Sequence, residues 1–200
     1  MPSAGTDEFD PGVIHQRWVK LYKRWGMPKE LVVPRPNFSR QFIVSRKNLE
    51  EPRVPIYVHP KLALPMFNDL FPAMWGHWSL TPGSGTANNY GLSGWLFVEA
   101  ALEATFRKTD QYQLEEIAKI NGWKGQTEAD YLIFGEYCKA TYGCYPDLET
   151  WVRLLGSSCN GRVIFASFYS SGHPRVDYGL PPSHVHPYLG GRFAEMPSGG

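Results

Sequence analysis

Between Val32 and Pro82 eight prolines recur, Pro34, Pro36, Pro52, Pro55, Pro60, Pro65, Pro72 and Pro82. Each fixes its own φ near about −65°, removes a backbone donor and pushes the preceding residue toward extended backbone. No long helix fits such a segment. With short β-rich runs between the prolines, such as Phe42-Ile43-Val44 and Ile56-Tyr57-Val58, the segment reads as extended chain and turns, with one short helix near Phe67 to Leu70. Residues 1–12 read as a loose leader. Gly12 to Trp25 carries apolar residues at helical spacing until Gly26 and Pro28 end the pattern.

Beyond Pro82 the character changes. The turn formers of Thr81 to Asn89 (TPGSGTANN) lead into Trp95, Leu96, Val98, Ala101, Leu102 and Phe106, mostly three or four apart. The spacing predicts a buried helix from about Ser93 to Lys108. Further helices are expected over Gln113–Ile120, Thr127–Thr141 and Asp147–Leu155, the last stopped by Gly156. After Asn160-Gly161, the run RVIFASFYS reads as a strand, followed by a turn at Ser171-Gly172 and a weaker extended stretch from Arg175.

Composition narrows the function classes. Twenty Lys and Arg against 19 Asp and Glu give a net charge of +1, which argues against the basic field that nucleic-acid binding needs. The basic cluster Arg17, Lys20, Lys23 and Arg24 reads as the solvated face of a helix. Cys138, Cys144 and Cys159 are irregularly spaced and contain no C-x-x-C pair, so they are expected as reduced thiols rather than as a disulfide framework, zinc site or redox pair. No run approaches the roughly 20 apolar residues of a bilayer span, and the polar, acidic N-terminus lacks a signal-peptide pattern. The expectation is a cytoplasmic protein with no membrane partner and no cofactor. Seven Trp, eleven Tyr and eleven Phe predict a densely packed core or a ring-lined cleft.

A helix entered from a Gly/Asn-rich loop suits a nucleophile, because its N-terminus stabilises an anion and offers backbone N–H groups to an oxyanion. The segment ANNYGLSGWLFVEAAL, Ala87 to Leu102, resembles the nucleophile segment of viral papain-like leader proteases: those of arteriviruses, hypoviruses and picornaviruses, and the potyvirus helper-component protease. Gly91-Leu92-Ser93-Gly94-Trp95 approximates their glycine–variable–cysteine–aromatic pattern, with Ser93 at the cysteine and Gly94 inserted. NGRVIFASFYSSGHP, Asn160 to Pro174, is similar to the hairpin that delivers their catalytic histidine.

The resemblance implies an α+β papain-like fold, with a helical lobe and a small antiparallel sheet over residues 81–200 and an N-terminal extension over 1–80. It implies Ser93 at the nucleophile position, His173 as base 80 residues later, and Asn88, with Asn89 in reserve, as oxyanion donor. It further implies self-cleavage after Gly199 or Gly200, so that the partners are the chain's own polyprotein junction and host proteins. The serine is read as a replacement that disarms the enzyme, as a natural variant, or as a sign that the site is not catalytic; the first is the expectation.

Other readings of the same residues stay open. Cys144, in Tyr142-Gly143-Cys144-Tyr145, is an alternative nucleophile or a buried structural thiol. His184 and His186, two apart and so on one face of a strand, are alternative bases, and their spacing also suits a metal, but no further ligand at a telling interval completes a site. Asp177 is a candidate third member of a triad. The Trp-rich stretch Met74 to Trp78 is read as core packing or as one wall of a cleft. The contrasting function is a non-catalytic interaction module that binds through an aromatic surface.

Overall fold

The computed structural model describes residues 7–88 and 94–197. Helix α1, Pro11–Arg24, starts where Asp10 accepts hydrogen bonds from the backbone N–H groups of Gly12 and Val13, and it buries Ile14, Trp18 and Tyr22. Helices α4 (Gln111–Asn121) and α5 (Glu128–Tyr142) both open with capping boxes, Asp110 with Gln113 and Thr127 with Asp130. Two shorter helices, α2 (Arg40–Lys47) and α3 (Met66–Leu70), lie in the proline-rich region, with 3-10 turns at Pro72–Met74 and Trp78–Leu80.

Two sheets flank α5. One has four strands in the order β1-β3-β9-β4, made of β1 (Arg53–Val58), β3 (Gly94–Glu99), β9 (Phe193–Glu195) and β4 (Lys124–Gly125), all antiparallel. The other runs β2-β5-β6-β7, from β2 (Thr86–Asn88), β5 (Trp151–Cys159), β6 (Arg162–Phe168) and β7 (Pro174–Asp177), with β8 (Leu189–Gly191) parallel to β5. Helix α5 packs on β1 of the first and β5 of the second, and it is buried from Glu128 through Cys138. Gly135 lets it sit directly on Phe168 of β6: a Cβ there would come within 2.4 Å of the ring. On its other side Tyr137 stacks on Trp18 at 5.6 Å, within an aromatic cluster that also holds Tyr22, Trp25 and Trp95.

Two ion pairs are buried in this frame. Asp147 accepts from Arg192 at 2.8 Å and from the Tyr131 hydroxyl at 3.0 Å. Arg53 donates to Glu99 at 3.1 Å, and Glu99 also accepts the Phe193 N–H. All three cysteines are free thiols. Among the described residues no helix is long and apolar enough to cross a membrane.

The protein is α+β, and its order of elements differs from expectation in three places. From Gly94 on, the helix expected over 93–108 is strand β3 followed by irregular chain, so residues 94–108 form no helical lobe; Ser93 itself lies outside the described residues. Trp95 to Val98 are buried without alternation because β3 is central, paired with β1 and β9, and a strand covered on both faces presents the continuous apolar run of a buried helix. Gly94 enters that strand at φ +107°, a conformation L side chains rarely adopt. The helix expected over 147–155 gives way, for the same reason, to β5, buried without a break from Val152 to Ser157. Conversely, Phe42-Ile43-Val44 lies in α2, capped by Ser39, and the flanking helix formers outweigh the β-branched pair. Residues on both sides of position 80, from Ile14 to Ala194, share one hydrophobic cluster.

Candidate functional site

Ser93, Asn89, Gly199 and Gly200 lie outside the described residues. His173 sits where the chain turns from β6 into β7, half-buried, with Nδ1 3.1 Å from the Ala73 carbonyl. A carbonyl only accepts, so Nδ1 carries the proton and Nε2 is left bare. Asn88 ends β2, and its Oδ1 accepts from the Ser157 hydroxyl at 2.7 Å. Cys144 precedes no helix, since the chain runs on through Asp147 into β5. Asp177 stands at the far end of β7 from His173, and its Oδ1 accepts from the N–H groups of Tyr178 and Gly179, so it does not orient the imidazole.

A buried polar chain starts beside His173. The His77 ring lies 5.2 Å from the His173 ring, and His77 Nδ1 is 2.8 Å from Ser79 Oγ, which in turn is 2.5 Å from Glu128 Oε1. Burial pushes the Glu128 carboxyl up to about 7, although the hydrogen bond from Ser79 opposes the shift. Burial, with the nearby His173, pulls His77 down to about 4. His77 Nδ1 accepts the Ser79 N–H, so the imidazole is neutral and bare on that side. A protonated Glu128 therefore donates to Ser79 Oγ, whose own proton turns to His77; once Glu128 ionises, the hydroxyl turns back to the carboxylate. Ser79, only 1% exposed, is closed to any substrate, which makes this chain structural.

An opening with room for a ligand lies elsewhere, on the outer face of the β5–β6–β7 sheet. Strand alternation puts Trp151 and Arg153 of β5, Phe165 and Ser167 of β6, and Arg175 of β7 on that face, because the pairing registers Arg153 with Phe165 and Ser167 with Arg175. A cavity of about 400 Å³ opens over Trp151, Phe165 and Arg175, walled by Leu180, His184, His186, Tyr188 and Leu189, with Glu149 at its edge. Arg153, almost fully buried, donates to the carbonyls of Pro181 (3.2 Å) and His184 (2.9 Å) and so ties the wall to the sheet. The His184 and His186 rings lie parallel, 6.3 Å apart, and His186 packs against Tyr188.

Of the residues singled out in the sequence, this cavity gathers His184 and His186. Among the described residues, no third His, Cys, Asp or Glu joins them at metal-binding distance. Trp151, Phe165 and Arg175 are brought together only by strand pairing, and Tyr188 by the turn that precedes β8, so spacing in the sequence does not mark them. No protein family, curated protein or solved structure matches this chain.

Proposed function

We propose that this domain is a binding module, and that the cavity between the β5–β6–β7 face and residues 180–189 takes a small organic ligand with a flat apolar body. The observation that carries the reading is the floor: Trp151 and Phe165, in ring contact at 5.4 Å, stand at the base of an opening of about 400 Å³. That volume falls within the range of small-molecule sites, which are lined mainly by apolar and aromatic groups with a few polar groups that fix orientation. Exposed Tyr169 and Tyr188 extend the aromatic surface beyond the rim. The test is a screen of planar fragments against the chain by nuclear magnetic resonance. Shifts gathered at the Trp151 indole and the His184 and His186 rings support binding there; shifts elsewhere, or none, count against it.

A second reading is kept because one observation favours it. His173 is held in the tautomer a general base requires, Nδ1–H engaged and Nε2 bare. In that reading the chain is a papain-like self-cleaving protease in which a cysteine at position 93 attacks a glycyl carbonyl at the chain's own junction; His173 takes the thiol proton and gives it to the amine that leaves as the peptide bond breaks, and water then hydrolyses the thioester. A Ser93→Cys chain fused through Gly200 to a reporter tests it. Release of the reporter, lost again in Ser93→Cys, His173→Ala, is the expected result; an intact fusion from a folded protein removes the reading.

A further inference from the structure

We propose that the ligand of this cavity is a planar anion, an aromatic ring carrying a carboxylate or phosphate, whose charge is taken by Arg175. This rests on the binding reading above and names the chemical class of its ligand.

Arg175 is set apart from the arginines of the two buried pairs. Arg53 and Arg192 each hold a carboxylate, Glu99 and Asp147. Arg175 is half-buried, and among the described residues no carboxylate lies within ion-pair distance of it, nor does its side chain donate a hydrogen bond. What holds it is aromatic: its guanidinium carbon lies 4.3 Å from the centre of the Trp151 ring and 5.0 Å from that of Tyr169. Such stacking fixes the plane of the group and leaves its N–H edge available, a donor fork matched to the two oxygens of a carboxylate or phosphate. Ser167, registered opposite Arg175 on the same face, is wholly buried beneath the cavity rather than lining it, so Arg175 is the group that meets a ligand's charge.

The remaining ionisable groups that line the cavity are Glu149, His184, His186 and the Tyr188 phenol. Glu149 is exposed at the edge, where water and salt weaken its repulsion of an anion, and it stands more than ion-pair distance from Arg175. The His184 and His186 rings, parallel to each other, add flat surface to the wall of the cavity. An anion with a flat body thus meets aromatic surface below, imidazole at the side and an unpaired guanidinium.

The test is calorimetric titration of the full chain with four probes sharing one ring system: naphthoate, naphthyl phosphate, naphthalenemethanol and naphthylmethylamine. Naphthoate or naphthyl phosphate is expected to bind about tenfold or more tightly than the alcohol, the scale of one charge-assisted bidentate contact. Whichever of the two binds tighter identifies carboxylate or phosphate as the natural group. Arg175→Gln is expected to erase that preference, and Arg175→Lys, which keeps the charge and loses the fork, to restore part of it. Equal affinity for the alcohol and the acids, or tighter binding of the amine, overturns the anion inference and leaves the binding reading standing. No binding of any of the four at millimolar concentration overturns both.

Discussion

The inner and outer faces of the β5–β6–β7 sheet are made by the same strands and finished differently. On the inner side Val152, Leu154, Ile164, Ala166 and Phe168 are buried in the core that contains α5, and Gly135 allows the helix to seat on Phe168. The outer side carries Trp151, Arg153, Phe165, Ser167 and Arg175, and is partly roofed by the loop at 180–189, which Arg153 ties down through two carbonyls. A face closed by a helix has its apolar demand met. A face roofed by a loop keeps rings and a cation without a carboxylate partner at an opening, which is the composition of a site.

The largest expected contrast between the faces is in stability. Phe168→Ala removes a wholly buried ring between Tyr131, Tyr145 and Gly135, and is expected to cost about 3–5 kcal/mol in urea unfolding. Phe165→Ala on the outer face, whose ring looks into a cavity, should cost clearly less. Equal losses would remove the distinction between the faces.

The next effect concerns Glu128 at the start of α5. Its carboxyl is raised from 4.5 to about 7, so the folded chain keeps a proton that the unfolded chain has lost. Its contribution is full below about pH 4.5 and is lost as pH rises through about 7. His77, lowered from 6.5 to about 4, acts in the opposite sense: its neutral folded form favours stability above about pH 6.5, and that stability is lost as pH falls through about 4. The two slopes nearly cancel between about pH 4.5 and 6.5, where folding moves one proton from histidine to carboxyl without net uptake. Glu128→Gln keeps the shape without the charge, and is expected to stabilise the protein by about 2–3 kcal/mol near pH 8 and by much less near pH 5. Asp130, also raised to about 7 by burial, leaves a residual slope of the same sign. A variant no more stable than the parent near pH 8 would mean that Glu128 is not held protonated.

Smaller still is the tether. Arg153→Met removes the two hydrogen bonds to Pro181 and His184 and is expected to cost about 1–2 kcal/mol. Amide exchange should quicken first at His184 and Leu189, whose N–H groups bond within the same loop. Unchanged exchange there would show that the loop is held by something else. The smallest effect on stability is expected from Arg175→Gln, about 0.5–1 kcal/mol, because the stacking on Trp151 and Tyr169 is lost but no ion pair or hydrogen bond. A large destabilisation would make Arg175 a structural residue rather than a ligand anchor.

What the sequence made legible follows local signals. α1, α4 and α5 lie where their caps and apolar spacing put them, within about two residues at each end, and β1 and β6 where short β-rich runs are bounded by turn formers. The two misread strands, β3 and β5, each lie between paired neighbours and are buried over a continuous run. Their periodicity is set by which neighbours cover them, and that information lies in distant parts of the chain. The cavity is concealed for the same reason. His184 and His186 could be singled out by spacing, whereas Trp151, Phe165 and Arg175 become neighbours only through the registers of β5, β6 and β7. The reading of Ser93 depended on a helix after it, and the chain there is β3.

The most direct measurement is an amide and side-chain chemical-shift map of the full chain with and without naphthoate. Shifts concentrated at the Trp151 indole, at Phe165 and Arg175, and along residues 184–189, and absent from α5 and the inner face, are the expected result. Shifts spread over both faces, or confined to a different surface, would contradict the assignment of the outer face as the binding site.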